Sequence, residues 1–246
     1  MNILVCVNNT PDTIAKIAFT EGNTKFASEG VSYILNPYDE WYSLVRAIEL
    51  QEKFGGKVTV IHVGPASSDT NIRKALAIGA DEAVRIDAVP LSAAYVAEAI
   101  AVYAKDKSYD LIFTGKESID YQSAEVGAMI AEHLDWPFIG FANKLDVDGS
   151  SVTIHREVEG AIEVTQVGIP LVVSSAKGMA EQRIPNMRGI MMAKSKPLQV
   201  IAPPSVGEPL KVKAFTLPPP KSGVKMVDPA DMPRLVQLIH EETKVI

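Results

Sequence analysis

Short runs of nearly unbroken apolar residues alternate with longer stretches of helical period along the first half of the chain. "NILVCV", "GVSYILNP", "KVTVIHVG", "EAVRI" and "DLIFTG" have the branched composition and length of strands buried on both faces. Between them the apolar positions change period. Pro37 is expected to open a helix whose buried stripe is Trp41, Leu44, Val45 and Ile48, closed by "FGG" at 54–56. "NIRKALAIGA" carries a second helix, Val96, Ile100 and Tyr103 mark a third, and Val126, Met129, Ile130 and Leu134 a fourth. Strands separated by helices of this length predict right-handed crossovers. The expected fold is an open, mainly parallel α/β sheet with helices on both faces.

From about residue 138 the pattern shortens. "FANKLDV", "SVTIHREV", "AIEVTQV" and "PLVVSS", separated by turns such as "DGSS" and "EG", predict antiparallel hairpins added to the parallel core. "AEQRIPNMRGIMMAKSKPLQV" follows, and Pro185 and Gly189 interrupt it against continuous packing. Residues 202–228 are proline-rich and lack periodicity, which predicts an extended arm. The arm ends in a helix with Met232, Leu235, Val236 and Ile239 on one face. So long a structureless stretch needs something else to order it, and a partner subunit is the simplest candidate. We therefore divide the chain into an α/β domain, 1–201, and an arm, 202–246.

Composition narrows the function. Apolar residues make up 47% of the 246 positions and charged residues 22%, as in ordinary globular proteins. The formal net charge of −6 argues against a nucleic-acid binder. No apolar run has membrane length, so direct membrane insertion is not expected, and the chain starts directly in a strand with no leader-like segment. Cys6 is the single cysteine and reads as an inert core thiol inside "ILVCV". The four histidines are scattered, so no metal site is expected.

The candidate chemistry lies in loops. "NNTP" at 8–11, "NP" at 36–37, "VGP" at 63–65 and "TGKESID" at 114–120 each follow a predicted parallel strand. They converge on the carboxyl edge of the sheet, where open α/β sheets bind ligands. Each has an ordinary reading as well: Asn36, for example, could simply cap a helix whose start favours Asp39 and Glu40. The loop from 115 to 126 is acidic, with Glu117, Asp120 and Glu125 against one basic residue, Lys116. G-x-G-x-x-G, the phosphate-loop lysine motif, a nucleophile elbow and a cysteine–histidine pair are all absent. These features describe a holder of a nucleotide, without catalytic residues of its own.

"LNPYDE", "HVGP", "ALAIGADEA", "DLIFTGKESID" with "VGAMIAEHLDWP", "HREVEGAIE" and "RIPNMRGIMMAKSKPL" occur in that order. In this combination, over essentially the whole length, the chain resembles the electron transfer flavoprotein beta subunit family. The resemblance implies a heterodimer with an alpha subunit that holds redox-active FAD. It implies electrons accepted from acyl-CoA dehydrogenases and related flavoenzymes and passed to a membrane quinone oxidoreductase, with AMP as a structural element of the beta subunit. The setting implied is the bacterial cytoplasm or, in a eukaryote, the mitochondrial matrix.

Carried over by position, the AMP pocket would comprise Cys6, Asn36, Pro37, Tyr38, Asp39 and Val63. The loop Gly115, Lys116, Glu117, Ser118, Ile119, Asp120, Tyr121, Gln122, Ser123, Ala124, Glu125 and Val126 would complete it. Loop and helix-start N–H groups would hold the phosphate, so few lysines are needed. The chain departs from the family at Ala124, Glu125 and Val126, where relatives often carry Asn, Gln and Thr. An inward carboxylate at Glu125 would repel phosphate; an outward one would not. A bifurcating sibling group binds a second FAD here, but has glycine where this chain has the bulky Tyr121. An alternative of another class is a stand-alone nucleotide-binding module resembling universal stress proteins, which share this sheet type. The resemblance also implies that Met187 anchors dehydrogenase docking within a recognition loop, 183–196, beside Arg188, Ile190, Met191 and Lys194. Arg156 and Glu157 read from spacing as a solvent-facing strand pair. The resemblance implies instead that Glu157 lies at a contact controlling the orientation of the flavin domain.

Overall fold

The computed structural model describes residues 1–207, 210–221 and 223–244. After β1 (Asn2–Cys6), the short strands β2 (Asn9–Pro11), β3 (Phe19–Thr20), β4 (Lys25–Phe26) and β5 (Tyr33–Leu35) form two small antiparallel pairs, β2 with β5 and β3 with β4. Regular alternation follows: α1 (Asp39–Phe54), β6 (Lys57–Val63), α2 (Asp69–Ile78), β7 (Glu82–Ile86), α3 (Ala93–Ala104), β8 (Leu111–Gly115) and α4 (Val126–Leu134). Then come β9 (Phe138–Asp148), β10 (Ser151–Val158), β11 (Ala161–Gly168) and β12 (Leu171–Ser175). The last elements are α5 (Met187–Ala193), β13 (Leu198–Ile201) and α6 (Met232–Leu238).

Among the described residues, one nine-stranded sheet runs in the order β11-β10-β9-β12-β8-β1-β6-β7-β13. From β9 to β13 along that order every neighbouring pair is parallel, while β10 pairs antiparallel with both β9 and β11. The chain leaves β1 to one side, towards β6 and β7, and returns through α3 to β8 on the other. The strand order therefore reverses at β1, and the carboxyl ends there open a crevice.

Period-two alternation divides the core between the faces. Ile3, Val5, Val58, Val60 and Phe113 pack with Leu44 and Ile48 of α1 and with Ile72 and Leu76 of α2. Leu4, Cys6, Ile61, Val63 and Ile112 pack on the other face with Ile100 of α3 and Ile130 of α4. The expected fold class is what the chain adopts: a mainly parallel α/β sheet with added antiparallel strands.

Some expectations are corrected. Tyr33–Leu35 is not a parallel strand of the main sheet; it returns against β2 as half of a small pair. "PLVVSS" is not a hairpin strand: β12, buried at every position, lies between β8 and β9 and is parallel to both. Helix α1 starts at Asp39, because Tyr38 takes a positive φ of 66° that no helix can include. Segment 183–201 also supplies structure that its interruptions did not suggest, in α5 and in the edge strand β13, which pairs with β7. Of the residues described beyond it, 202–207, 210–221 and 223–228 form no helix or strand. Phe215 stacks on Phe19 with ring centroids 4.9 Å apart, and its N–H donates to the Asn23 carbonyl at 2.7 Å. Helix α6 buries none of its residues.

Phe113 is fully enclosed in the central strand β8. Phe113→Ala is expected to lower unfolding free energy by about 3–5 kcal/mol, the usual cost of such a truncation. Urea titration of the chain measures this directly.

Candidate functional site

At the crevice beside β1 lies a cleft of about 830 Å³. Cys6 and Val63 end their strands on its floor, Val96 and Ile100 of α3 with Val126 of α4 form an apolar wall, and Asn8, Asn9 and Tyr33 close another side. The loop after β7 contributes Val89 to Ser92, and Leu210 of the arm reaches the mouth. These elements meet because parallel strands end together, so the loops that follow them gather at one edge.

The acidic loop is held from below. Asn36, fully buried, donates through Nδ2 to the Glu117 carbonyl at 3.1 Å and accepts the Ile119 N–H at 3.0 Å. A short loop side chain thus fixes another loop's backbone without a charge. Gln122 and Ala124 take positive φ values of 52° and 56°. The change of sign from Ala124 to Glu125, at −98°, is the backbone pattern of an anion-binding nest. Lys116, the loop's basic residue, pairs with Glu117 at 3.1 Å and does not line the cleft.

Among the described residues, the lining includes Glu40, Asp120 and Glu125, and neither a lysine nor an arginine. Asp120 and Glu125 are exposed, whereas Glu40 is only 7% exposed. Burial pushes the Glu40 carboxyl up to about 8, with the neighbouring Asp120 adding to the rise and the Asn8 N–H, donated at 2.5 Å, opposing it. Burial likewise raises Asp39 to about 6, against the pull of Lys116. The Cys6 thiol is also raised, by burial first and by Glu40 second, so it is an inert thiol.

His62 is held neutral by burial. With Nδ1 2.9 Å from the Val7 carbonyl, that nitrogen carries the proton, and buried Nε2 is an acceptor without a partner among the described residues. Arg85, itself buried, fixes the adjoining turn by donating to the Gly64 carbonyl at 2.8 Å, while Asp69 and Asp87 balance its charge.

Among the positions singled out from sequence, Cys6, Val63, Ser118, Asp120, Tyr121, Ser123, Glu125 and Val126 line the cleft. Asn36 acts behind it through the loop, and Pro37, Tyr38, Asp39, Gly115, Lys116, Glu117, Ile119, Gln122 and Ala124 do not line it. Arg156 is not paired with Glu157, since neighbours on a strand point to opposite faces. Its guanidinium instead grips Glu163 across β10 and β11 at 3.1 and 2.9 Å, and Glu157 accepts from Asn143 at 3.3 Å. In the 183–196 segment, Met187 is 74% exposed, and Arg188, Ile190, Met191 and Lys194 are exposed with it. Among the described residues no histidine, cysteine or carboxylate cluster could hold a metal ion, and no helix is long and apolar enough to cross a membrane.

Residues 23–206 match the electron transfer flavoprotein domain. The chain is 37% identical to electron transfer flavoprotein subunit beta of Bacillus subtilis over all of both chains. Against the proteins of the same name from Syntrophomonas wolfei and Homo sapiens it is 36% and 31% identical, covering 93% and 94% of this chain and 90% and 95% of theirs. The chain belongs to the electron transfer flavoprotein beta-subunit family.

Within this family member, sequence reasoning overlooked Glu40, His62 and the loop 89–92. The rule that gathered the other loops at the carboxyl edge also applies after β7, and could have found that loop. Glu40 gave no such signal, because an acidic residue in a helix's first turn is unremarkable.

The Glu40 proton makes stability depend on pH. The folded state keeps this proton up to about 8, while a carboxyl at its ordinary value of 4.5 has released it. Stability from this group is therefore complete below about 4.5 and is lost as pH rises towards 8. Asp39 adds a slope of the same sign between 3.8 and about 6. Glu40→Gln copies the protonated form, so its advantage over wild type should grow with pH and exceed about 1 kcal/mol at pH 8. Denaturant unfolding at pH 5 and pH 8 measures the difference; an equal offset at both would contradict it.

Proposed function

We propose that this chain is the small subunit of a heterodimeric electron transfer flavoprotein. In this reading it has no catalytic residues and serves as an electron-carrier subunit. The complex takes electrons from acyl-CoA dehydrogenases and related flavoenzymes, and a quinone oxidoreductase of the respiratory chain receives them. FAD sits mainly in the alpha subunit, and AMP occupies the cleft described above. The observation that carries the reading is the likeness, over all of both chains, to the Bacillus subtilis protein named subunit beta.

The cleft fits a purine monophosphate in its chemistry. Val63, Val96, Ile100 and Val126 offer apolar walls for a base, and His62 Nε2 is an acceptor awaiting a donor. A phosphate would rely on loop N–H groups such as those around Ala124. The acidity of the loop is then no contradiction. Lys116 and Glu117 pair outside the cleft, the carboxyls of Asp120 and Glu125 lie in water, and the enclosed Glu40 keeps its proton at neutral pH. AMP bound here ties the loops after β1, β6 and β8 together and so acts structurally.

Arm 202–246 wraps the alpha subunit, giving the exposed Met232, Leu235 and Val236 a surface to cover. Met187 anchors docking of a dehydrogenase. A flexible apolar side chain adapts to differently shaped pockets, and Arg188 and Lys194 assist encounter. Glu157 helps to hold one orientation of the flavin domain. The stand-alone stress-type module accounts for neither the arm nor the exposed face of α6.

Two measurements test these assignments. Denaturing the purified heterodimer and quantifying what it releases should give one FAD and one AMP; two FAD and no AMP would replace the reading with the bifurcating one. Deleting residues 202–246 should weaken heterodimer formation and flavin retention together. Unchanged association by analytical ultracentrifugation would remove the arm from the interface.

A further inference from the structure

Helix α5 carries the exposed methionines, yet it is too short to hold its own shape in isolation. What holds it is a reciprocal arrangement with α2. Arg73, on α2, donates through Nη1 to the carbonyls of Ala193 at 2.6 Å and Lys196 at 3.0 Å, at and just beyond the carboxyl end of α5. Lys196 in turn donates from Nζ to the carbonyls of Leu76 at 3.0 Å, Gly79 at 3.3 Å and Ala80 at 2.5 Å, where α2 ends. One carbonyl in the last turn of each helix, Ala193 of α5 and Leu76 of α2, and three just beyond the two ends thus accept from a cation of the facing segment, where the helix dipole also favours positive charge.

The backbones meet closely. A Cβ on Gly189 would lie 2.4 Å from the Ala77 carbonyl oxygen, so α5 rests on α2 only because that position has no side chain. At the other end of α5, Asn186 caps the helix by accepting the Gly189 N–H at 2.8 Å. The side chain of Ala193 is buried against the domain, whereas those of Met187 and Met191 face outward.

We infer that Arg73 and Lys196 are positioning residues for partner docking, holding α5 so that Met187 is presented in one fixed place. This rests on the proposed docking role of the 183–196 segment, but it concerns residues that need not touch the partner themselves. The benefit is pre-organisation. A segment that spends only part of its time in the competent position binds with an affinity reduced by that fraction. Two half-buried cations donating to five carbonyls keep the fraction high.

The test uses the complete heterodimer, with an acyl-CoA dehydrogenase reducing it. Arg73→Gln and Lys196→Met should each raise KM for the heterodimer about tenfold if only about a tenth of the population keeps α5 in place. Turnover at saturation, flavin content and heterodimer assembly should stay unchanged. Amide hydrogen exchange should accelerate within 187–193 and not across the central sheet. Arg73→Lys should recover part of the loss, and Arg73→Gln added to Met187→Ala should raise KM little beyond the single variants, since both act on one contact.

If Met187→Ala raises KM while Arg73→Gln and Lys196→Met do not, the positioning inference is overturned and the docking reading stands. An unchanged KM in Met187→Ala overturns both. Should one cation variant fail to assemble, the other decides. Loss of kcat and flavin in step with KM would assign Arg73 and Lys196 to fold stability instead.

Discussion

Everything in this molecule is arranged about β1, a strand buried on both faces and paired in parallel on both edges. Ile3 to Val5 lie in register with Val58 to Val60 on one side and with Leu111 to Phe113 on the other. Parallel pairing forbids tight hairpins, so each crossover must travel over a face, and the helices that cover the sheet follow from that necessity. It also forces strand ends to coincide. The cleft is the place where the chain, having built outwards from β1 in one direction, starts again in the other.

A binding cleft lined by carboxyls would be electrostatically unsuited to an anion if every group were treated alike. Position separates them. Glu40 sits where ionisation is opposed by burial, and the Asn8 N–H gives its carbonyl-like oxygen a partner in either state. Asp120 and Glu125 project where water screens them. Asn36 and Arg85 then hold the surrounding backbone from behind, one by neutral hydrogen bonds and the other by a charge balanced on the spot by Asp69 and Asp87. Neutral side chains such as Asn8, Ser28, Ser67, Ser118 and Ser123 line the cleft, offering hydrogen bonds without long flexible cations.

Much of this was legible in the residues. "NILVCV" and "KVTVIHVG" announce two-sided burial through their unbroken apolar runs, and the four helices through their stripes. "PLVVSS" has the same signature, but its place after three short antiparallel strands suggested a hairpin; only the space between β8 and β9 decides otherwise. Tyr33–Leu35 shows the reverse. Three apolar residues are too few to choose between sheets, and pairing with Asn9 to Pro11 makes the choice. At the site, the converging loops could be foreseen because strand direction dictates where they go. The enclosure of Glu40 could not, because it depends on how the Asn8 turn and the loop after β8 close over the first turn of α1.

Helix α6 places Met232, Leu235 and Val236 in water, and Val224 and Met226 along the arm are more exposed still. Surface of this kind favours self-association when nothing covers it. A cell making this chain in excess of a covering subunit would therefore hold a surplus exposed to aggregation and proteolysis, while the assembled fraction would be protected by mass action. If the proposed partner covers the arm, its supply sets how much of the chain is protected.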